Sequence, residues 1–222
     1  MQLPAGTEIS ARFLLFDMDG TLADSTRSVE LVWGRWAERN GIHFSSFRHS
    51  MHGRRAIDIM RSIVPAHLDA EQELMTIDSD ELVETDGIVP IPGAVRLLSS
   101  LPRGSWALVT SAQLSLARVR MEAAGLSLPD VVISADDISE GKPNPACYRL
   151  AMERLGCCSA DAVVFEDAKA GLVAGHAAGC RTIALATTQD PSCLDEEDWL
   201  PDLSKLAVYR IDTDGCLYLR VS

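Results

Sequence analysis

The fold of this chain is best predicted from residues 13–22, which read Phe13-Leu14-Leu15-Phe16-Asp17-Met18-Asp19-Gly20-Thr21-Leu22. It begins as an unbroken apolar run, which is typical of a strand buried on both faces of a parallel sheet. Two carboxylates follow, and Gly20 allows the backbone to turn sharply after them. We therefore expect Asp17 and Asp19 at the carboxyl end of a buried strand, where open α/β sheets bind their ligands.

Two carboxylates in such a position have three chemical uses. They supply a nucleophile, a group for proton transfer, and hard oxygen ligands for a cation such as Mg²⁺. A simpler interpretation is that Asp17 caps a turn and that Asp19-Gly20 is an ordinary turn signal. The motif alone leaves both interpretations open.

Composition limits the partners of the protein. The chain has 222 residues, which suits one large domain or a core with a modest insertion. Its 32 acidic and 20 basic residues give a formal net charge of −12. That charge repels nucleic acid and anionic membrane surfaces, so we expect neither as a partner. A site for a phosphorylated substrate must be made locally positive by side chains or by a metal.

The cellular location follows from what the sequence lacks. No segment has the apolar length of a membrane span, and the first ten residues lack the features of a signal peptide. The six cysteines match neither a zinc site nor a disulfide framework, and we interpret them as reduced thiols. These features predict a cytoplasmic protein. Its oligomeric state is not given by the sequence, and we expect a monomer.

Apolar runs alternate with helical patterns along most of the chain. Runs at residues 13–16, 106–109, 131–133, 162–165 and 182–185 predict strands, and helices are expected between them. This order predicts an α/β fold with a Rossmann-like, doubly wound parallel sheet. Residues 189–202 are expected to form a loop. Two late runs, 207–209 and 217–219, predict an edge hairpin around Asp214-Gly215.

One segment interrupts this alternation. Residues 25–88 carry only helical periodicity, and the proline- and glycine-rich stretch 86–93 returns the chain to the alternating pattern. We therefore predict a hydrolase core of residues 1–24 plus 89–222. Residues 25–88 are predicted to form a small all-helical cap inserted after the first strand of the sheet.

Polar side chains follow four of the predicted strands. They are Asp17 and Asp19, then Thr110 and Ser111, then Lys142, and finally Glu166 and Asp167. Because the carboxyl ends of parallel strands meet at one edge of a sheet, these groups are expected in one cleft. Carboxylates suit a divalent cation, while hydroxyls and an ammonium suit phosphate oxygens, so the set favours phosphoryl transfer. Acyl transfer fits poorly, because no serine lies in a nucleophile elbow.

These segments resemble the motifs of a known family. Asp17-Met18-Asp19-Gly20-Thr21-Leu22, Thr110-Ser111, Gly141-Lys142-Pro143 and Glu166-Asp167-Ala168 look like the four motifs of the haloacid dehalogenase superfamily, in the same order. The resemblance covers residues 13–185. The helical insertion resembles the cap of the β-phosphoglucomutase-like branch. Within that branch, the chain is most similar to small sugar phosphatases and 2-deoxyglucose-6-phosphatases.

The resemblance implies a role for each matching residue. Asp17 would be the nucleophile that forms an aspartyl-phosphate, and Asp19 would protonate the leaving alcohol and then activate water. Mg²⁺ would be bound by the Asp17 carboxylate, the Asp19 backbone carbonyl and Asp167. Glu166 would lie next to these ligands without binding the ion itself. Thr110, Ser111 and Lys142 would bind the phosphate. The substrate would be a small phosphorylated metabolite, either a sugar or a polyol phosphate.

A basic segment in the helical insertion matches the substrate-specificity loop of the family. It consists of His52, Gly53, Arg54 and Arg55. A glycine-hinged basic cluster on an acidic protein is suited to binding an anion or a sugar. The plainer interpretation is a solvated helix start with Gly53 as its N-cap.

Two alternatives to a phosphatase remain open. A β-phosphoglucomutase-type phosphotransferase has a histidine on its first cap helix, and the matching position here is Val29, which disfavours that activity. The other alternative is a catalytically silent binding module on the same fold. The complete set of Asp17, Asp19, Lys142 and Asp167 argues against it.

Overall fold

The computed structural model of the protein describes residues 1–51 and 53–222, so that the predicted loop residue His52 lies outside the described residues. The strands are β1 (Glu8–Ala11), β2 (Phe13–Phe16), β3 (Ala23–Asp24), β4 (Val89–Pro90), β5 (Trp106–Val109), β6 (Val131–Ile133), β7 (Ala162–Glu166), β8 (Arg181–Leu185), β9 (Asp198–Leu200), β10 (Leu206–Ile211) and β11 (Leu217–Val221). The α-helices are α1 (Thr26–Arg39), α2 (Ala56–Ile63), α3 (Ala70–Val83), α4 (Ala94–Ser100), α5 (Leu114–Ala123), α6 (Ala146–Leu155) and α7 (Lys169–Ala177).

The main sheet is parallel and has the strand order β6-β5-β2-β7-β8-β9. The strand formed by the opening apolar run, β2, lies in its middle, with β5 on one side and β7 on the other. The chain order reverses between these two neighbours, and a reversal of this kind opens a crevice at the carboxyl ends of the strands. The predicted doubly wound α/β fold is confirmed.

Both faces of the main sheet are covered. Leu14 and Phe16 of β2 belong to one apolar cluster, and Leu15 belongs to another, because successive side chains of a strand point to opposite faces. The first cluster includes residues of α4 and α5, and the second includes residues of α6 and α7. Burial on both faces explains why β2 reads as an unbroken apolar run rather than an alternating one.

Helices α1 to α3 form a helical unit, residues 26–83, with an apolar cluster of its own. Trp33 and Trp36 of α1 pack against Phe47 and against residues of α2 and α3. The chain leaves and rejoins the sheet through the short antiparallel pair β3 and β4. The predicted cap is therefore present as a helical unit. Its boundaries at residues 25 and 88 stay a prediction.

The C-terminal region differs from expectation in two ways. Residues 189–202 are not only loop, because β9 pairs in parallel with β8 at the edge of the main sheet. The late hairpin, β10 and β11, forms as expected, but it pairs with β1 in a separate antiparallel sheet with the order β1-β11-β10. Leu206, Leu217 and Leu219 bury that small sheet against the core beside α4.

None of the described helices is both long and apolar enough to cross a membrane.

Candidate active site

Asp17 lies directly after the last residue of β2 and is almost fully buried. Its backbone N–H donates to the carbonyl of Phe165 on β7 (3.1 Å). Its carboxylate accepts a hydrogen bond from the ammonium of Lys142, with Nζ 2.6 Å from Oδ1. The two predicted groups are 125 residues apart in the sequence, and the fold joins them in one ion pair.

Lys142 connects three strand ends. Its ammonium also donates to Oε1 of Glu166 (2.6 Å), at the end of β7, and to the carbonyl of Val109 (2.9 Å), at the end of β5. Burial by itself would lower the pKa of Lys142, but the carboxylates of Asp17 and Glu166 raise it above its ordinary value. Lys142 is therefore a permanent buried cation at the centre of the site.

Three buried carboxylates surround this single ammonium. Asp17, Glu166 and Asp167 each offer an oxygen, and these oxygens all lie within 4.8 Å of one another. Burial raises the pKa of Asp17, and the negative charge of Glu166 raises it further. Burial, followed by the charge of Glu166, raises the pKa of Asp167 to about 7. When all three are ionised, the carboxylates carry more negative charge than Lys142 neutralises, so the cluster favours either a bound proton or a bound cation.

This donor set fits Mg²⁺. Carboxylate oxygens are the ligands that Mg²⁺ prefers, and a divalent cation would offset the excess negative charge among buried groups. Asp167 is held in place by the hydroxyls of Thr21 and Thr188, which both donate to its carboxylate. The second of the two hydroxyls was not anticipated from the sequence. Thr188 lies between β8 and β9, where the pair Thr187-Thr188 in a loop carries no distinguishing signal.

Thr110 and Ser111 follow β5 and line the same cavity as Asp17 and Asp19. The Thr110 hydroxyl accepts a hydrogen bond from the N–H of Ala112 (3.1 Å), which fixes the turn after the strand. The Ser111 hydroxyl donates to the carbonyl of Gly53 in the helical unit (2.9 Å). Both hydroxyls thus stand at the cavity wall, and Ser111 also joins the sheet edge to the helical unit.

Asp19 lines the cavity but lies apart from the acidic cluster. Its carboxylate accepts hydrogen bonds from the hydroxyl of Ser25 and from the guanidinium of Arg120 on α5, whose Nη1 is 2.8 Å away. Arg120 is buried and was not predicted to belong to the site. A signal was present in the sequence, because Arg120 falls on the helical face that Leu116, Ala117 and Met121 bury.

The two arginines of the predicted specificity loop have different surroundings. Arg54 lines the cavity. Arg55 lies outside that lining, where its guanidinium pairs with Asp58 (2.8 Å) and donates to the carbonyl of Ser139 in the core (2.7 Å). Gly53 packs closely against Ala168, since a Cβ at position 53 would stand 2.6 Å from the Ala168 Cβ. Gly53, Arg54 and Arg55 therefore lie over the sheet edge, with Arg54 directed to the cavity and Arg55 to the core.

The sequence profile described as haloacid dehalogenase-like hydrolase matches residues 14–185. The chain is 40% identical to hexitol phosphatase A of Escherichia coli, over 83% of this chain and 87% of that protein. It is 31% identical to 2-deoxyglucose-6-phosphate phosphatase 1 of Saccharomyces cerevisiae, over 94% of both chains. The crystal structure of a hydrolase from Pseudomonas syringae has the same fold, with a TM-score of 0.77, 22% identity, and coverage of 86% of this chain and 94% of that one.

Proposed function

The chain belongs to the haloacid dehalogenase-like hydrolase family, and within that family we propose that it is a Mg²⁺-dependent phosphatase that hydrolyses small sugar or polyol phosphates through an aspartyl-phosphate. One observation carries the proposal. Asp17 and Asp167 directly follow β2 and β7, and Lys142 lies in the loop between β6 and α6. The three meet in one buried cluster, where Nζ of Lys142 lies 2.6 Å from Oδ1 of Asp17. A carboxylate nucleophile, a fixed cation and a metal-binding carboxylate together meet the needs of phosphoryl transfer.

Mg²⁺ would be held by Asp17 and Asp167, with the backbone carbonyl of Asp19 as a further ligand. Glu166 would instead fix Lys142 in place through the hydrogen bond between them. When bound, the ion supplies positive charge that offsets the charge developing on the phosphoryl oxygens. Lys142 supplies a second, permanent positive charge from the protein. Thr110 and Ser111 are suited to donate hydrogen bonds to the phosphate from the cavity wall.

In the first step, an oxygen of Asp17 attacks phosphorus and forms a new O–P bond. The ester O–P bond breaks, and Asp19, acting as general acid, transfers its proton to the oxygen of the leaving alcohol. Lys142 keeps the attacking carboxylate in position through its hydrogen bond. The products of this step are the free alcohol, the phosphorylated Asp17 and an ionised Asp19.

In the second step, water attacks the phosphorus of the phosphorylated Asp17. Asp19 takes one proton from that water as the new O–P bond forms, and the bond between Asp17 and phosphorus breaks. Asp17 returns as a carboxylate and inorganic phosphate is released. The sum of the two steps is the hydrolysis of one phosphate monoester by one water molecule, with both aspartates restored.

The cavity wall supports a polyhydroxylated substrate. Beyond Asp19, the wall is formed by residues of the helical unit, including the ion pair of Glu30 and Arg48, and the side chains of Trp33 and Arg54. These charged and amphipathic groups can bind substrate hydroxyl groups, while apolar residues such as Met51 and Ile59 line another part of the same cavity. The 40% identity to a hexitol phosphatase supports the same class. Val29 lines the cavity where the mutase group has a histidine, which favours hydrolysis over return of the phosphate to the sugar.

The experiment is a phosphate-release assay on a panel of hexitol, glycerol and deoxyhexose phosphates with Mg²⁺. The matched control is Asp17→Asn, which keeps the shape of the side chain and removes the nucleophile. We expect release from at least one member of the panel by the wild-type protein and none by the variant. A folded wild-type protein that releases phosphate from no member would overturn the proposal and favour a silent binding module.

A further inference from the structure

Arg120 occupies a position where a charged residue is costly. It lies on the apolar face of α5, and only 7% of its side chain is exposed. Burying a guanidinium is unfavourable unless partners compensate for the lost hydration, and an apolar residue of similar size would avoid that cost. The burial of Arg120 therefore depends on the carboxylates that pair with it.

Arg120 bridges two carboxylates from different parts of the fold. Its Nη1 is 2.8 Å from Oδ2 of Asp19 in the loop after β2, and its Nη2 is 3.1 Å from Oε1 of Glu81 on α3 of the helical unit. Glu81 is itself 4% exposed, and its Oε1 also accepts a hydrogen bond from the indole of Trp33 (3.2 Å). The planar guanidinium is thus fixed at both ends by groups that are themselves held in place.

The hydrogen bonds to Asp19 determine how that carboxylate is oriented. Ser25 donates to Oδ1 and Arg120 donates to Oδ2, so that rotation of the carboxylate would break one of two bonds. Each carboxylate oxygen keeps a second lone pair for proton transfer. Asp19, Arg120 and Glu81 all line the cavity that contains Asp17. Proton transfer requires an oriented group within hydrogen-bond reach, so the orientation of Asp19 matters for its role.

We propose that Arg120 is a positioning residue that orients the Asp19 carboxylate for proton transfer, and that Glu81 of the helical unit fixes Arg120 for this purpose. The inference rests on the proposed function, in which Asp19 is the general acid. It adds a physical link between the two parts of the fold. Asp19 has its working orientation while α3 packs against α5, because Glu81 reaches Arg120 only across that contact.

Leaving-group dependence distinguishes this role from a purely structural one. An alkyl phosphate releases a basic alkoxide that needs a proton, whereas 4-nitrophenyl phosphate releases a stable phenolate that does not. The ratio kcat/KM reports the steps up to release of the alcohol. A misplaced general acid should therefore lower kcat/KM for alkyl esters and leave the aryl ester nearly unchanged. A general loss of structure would lower both values equally.

The variants are Arg120→Met, which removes both hydrogen bonds, and Arg120→Lys, which keeps the charge but replaces the planar two-nitrogen fork with a single nitrogen on a shorter side chain. Arg118→Met is the matched control, because Arg118 is on the same helix and exposed. For Arg120→Met we expect kcat/KM to fall about tenfold to a hundredfold for the alkyl substrate and less than about threefold for 4-nitrophenyl phosphate. Arg120→Lys should show an intermediate loss with the same selectivity, and Arg118→Met should match the wild type on both substrates.

Glu81→Gln keeps the test valid if neither Arg120 variant folds, as judged by circular dichroism. It retains an acceptor oxygen for Arg120 and removes the charge that fixes the guanidinium, so we expect a smaller loss with the same selectivity for the alkyl ester. Equal losses on both esters, no loss, or a gain on the alkyl ester would overturn the inference while leaving the phosphatase function intact. A wild-type protein inactive on every ester would instead overturn the function, and the inference with it.

Discussion

Replacing Gly171 with alanine tests how tightly the buried site is packed. Gly171 lies in the first turn of α7, and a Cβ built there would overlap the carboxylate of Glu166. That carboxylate accepts hydrogen bonds at Oε1 from Lys142 (2.6 Å) and from the hydroxyl of Tyr148 (2.6 Å). The methyl group must therefore displace either α7 or Glu166, and a displaced Glu166 releases Lys142 from one of its partners.

The magnitude follows from two opposing effects. Alanine in a helix interior is more stable than glycine by about 0.5–1 kcal/mol. A buried hydrogen bond to a charged group contributes about 1.5–3 kcal/mol, and two of them meet at Glu166. We therefore expect Gly171→Ala to lower the free energy of unfolding by about 2–5 kcal/mol. Gly34→Ala in α1 is the matched control, because a Cβ there would meet no atom within 4 Å, and it should stabilise the protein by about 0.5–1 kcal/mol.

The assay combines urea unfolding of both variants with phosphate release under saturating Mg²⁺. Gly171→Ala should be destabilised and should also lose kcat, since Lys142 holds the carboxylate of the proposed nucleophile, Asp17. Gly34→Ala should keep wild-type activity. A Gly171→Ala protein that is as stable as Gly34→Ala and fully active would refute the reasoning, because Glu166 would then not require the space that glycine leaves.

Three further predictions concern charge. In the metal-free protein with EDTA, the raised pKa of Asp167 (about 7) means that its proton is bound in the folded state but not in the unfolded state between about pH 4 and pH 7. The free energy of unfolding should therefore fall as the pH rises through that window, by up to about 1.4 kcal/mol per pH unit. Urea unfolding at a series of pH values measures this trend, and the Asp167→Asn variant should lack it. Mg²⁺ should raise the melting temperature of the wild type, most clearly above pH 7. A melting temperature that does not change with the Mg²⁺ concentration would count against the metal site. Arg54→Ala should raise KM for a sugar phosphate with little change in stability, because Arg54 lines the cavity. Arg55→Ala should instead lower the free energy of unfolding by about 1–3 kcal/mol, because it loses the bonds to Asp58 and Ser139. Identical behaviour of the two variants would contradict this division of roles.

The sheet and the residues at its strand ends follow from the sequence for a simple reason. Buried parallel strands are apolar throughout, so the position where each run stops is visible, and the fold brings those positions to one edge. Asp17 and Asp167 were located in this way, and Lys142 was predicted in the loop that follows the strand at residues 131–133. No long-range contact had to be known in advance, because strand order in a parallel sheet does not change which edge the carboxyl ends share.

The small antiparallel sheet could not be predicted in the same way. Strand β1 pairs with β11, which lies about 200 residues later in the chain, and nothing local in either strand specifies that partner. Strand β9 has three residues, which is too short for a period to be recognised. The hairpin was predicted because its turn, around Asp214-Gly215, is local. Its position beside β1, rather than at the edge of the main sheet, was not predicted.

The link through Arg120 was missed although a pattern was present. Arg120 and Glu81 each occupy a buried helical position, with Met121 beside the first and Ile77 one turn before the second. A charged residue on an apolar stripe indicates a buried partner of opposite charge. The sequence does not reveal which partner that is, because α3 and α5 belong to different parts of the fold and their contact is tertiary.

The most direct test of the central claim is to detect phosphate on Asp17. Wild-type protein is mixed with a substrate that it hydrolyses, quenched in acid within one turnover, digested and analysed by mass spectrometry. We expect a phosphoryl group on the peptide that contains Asp17, and none on the same peptide of the Asp17→Asn variant. An active enzyme in which Asp17 never carries phosphate under these conditions would rule out the aspartyl-phosphate route.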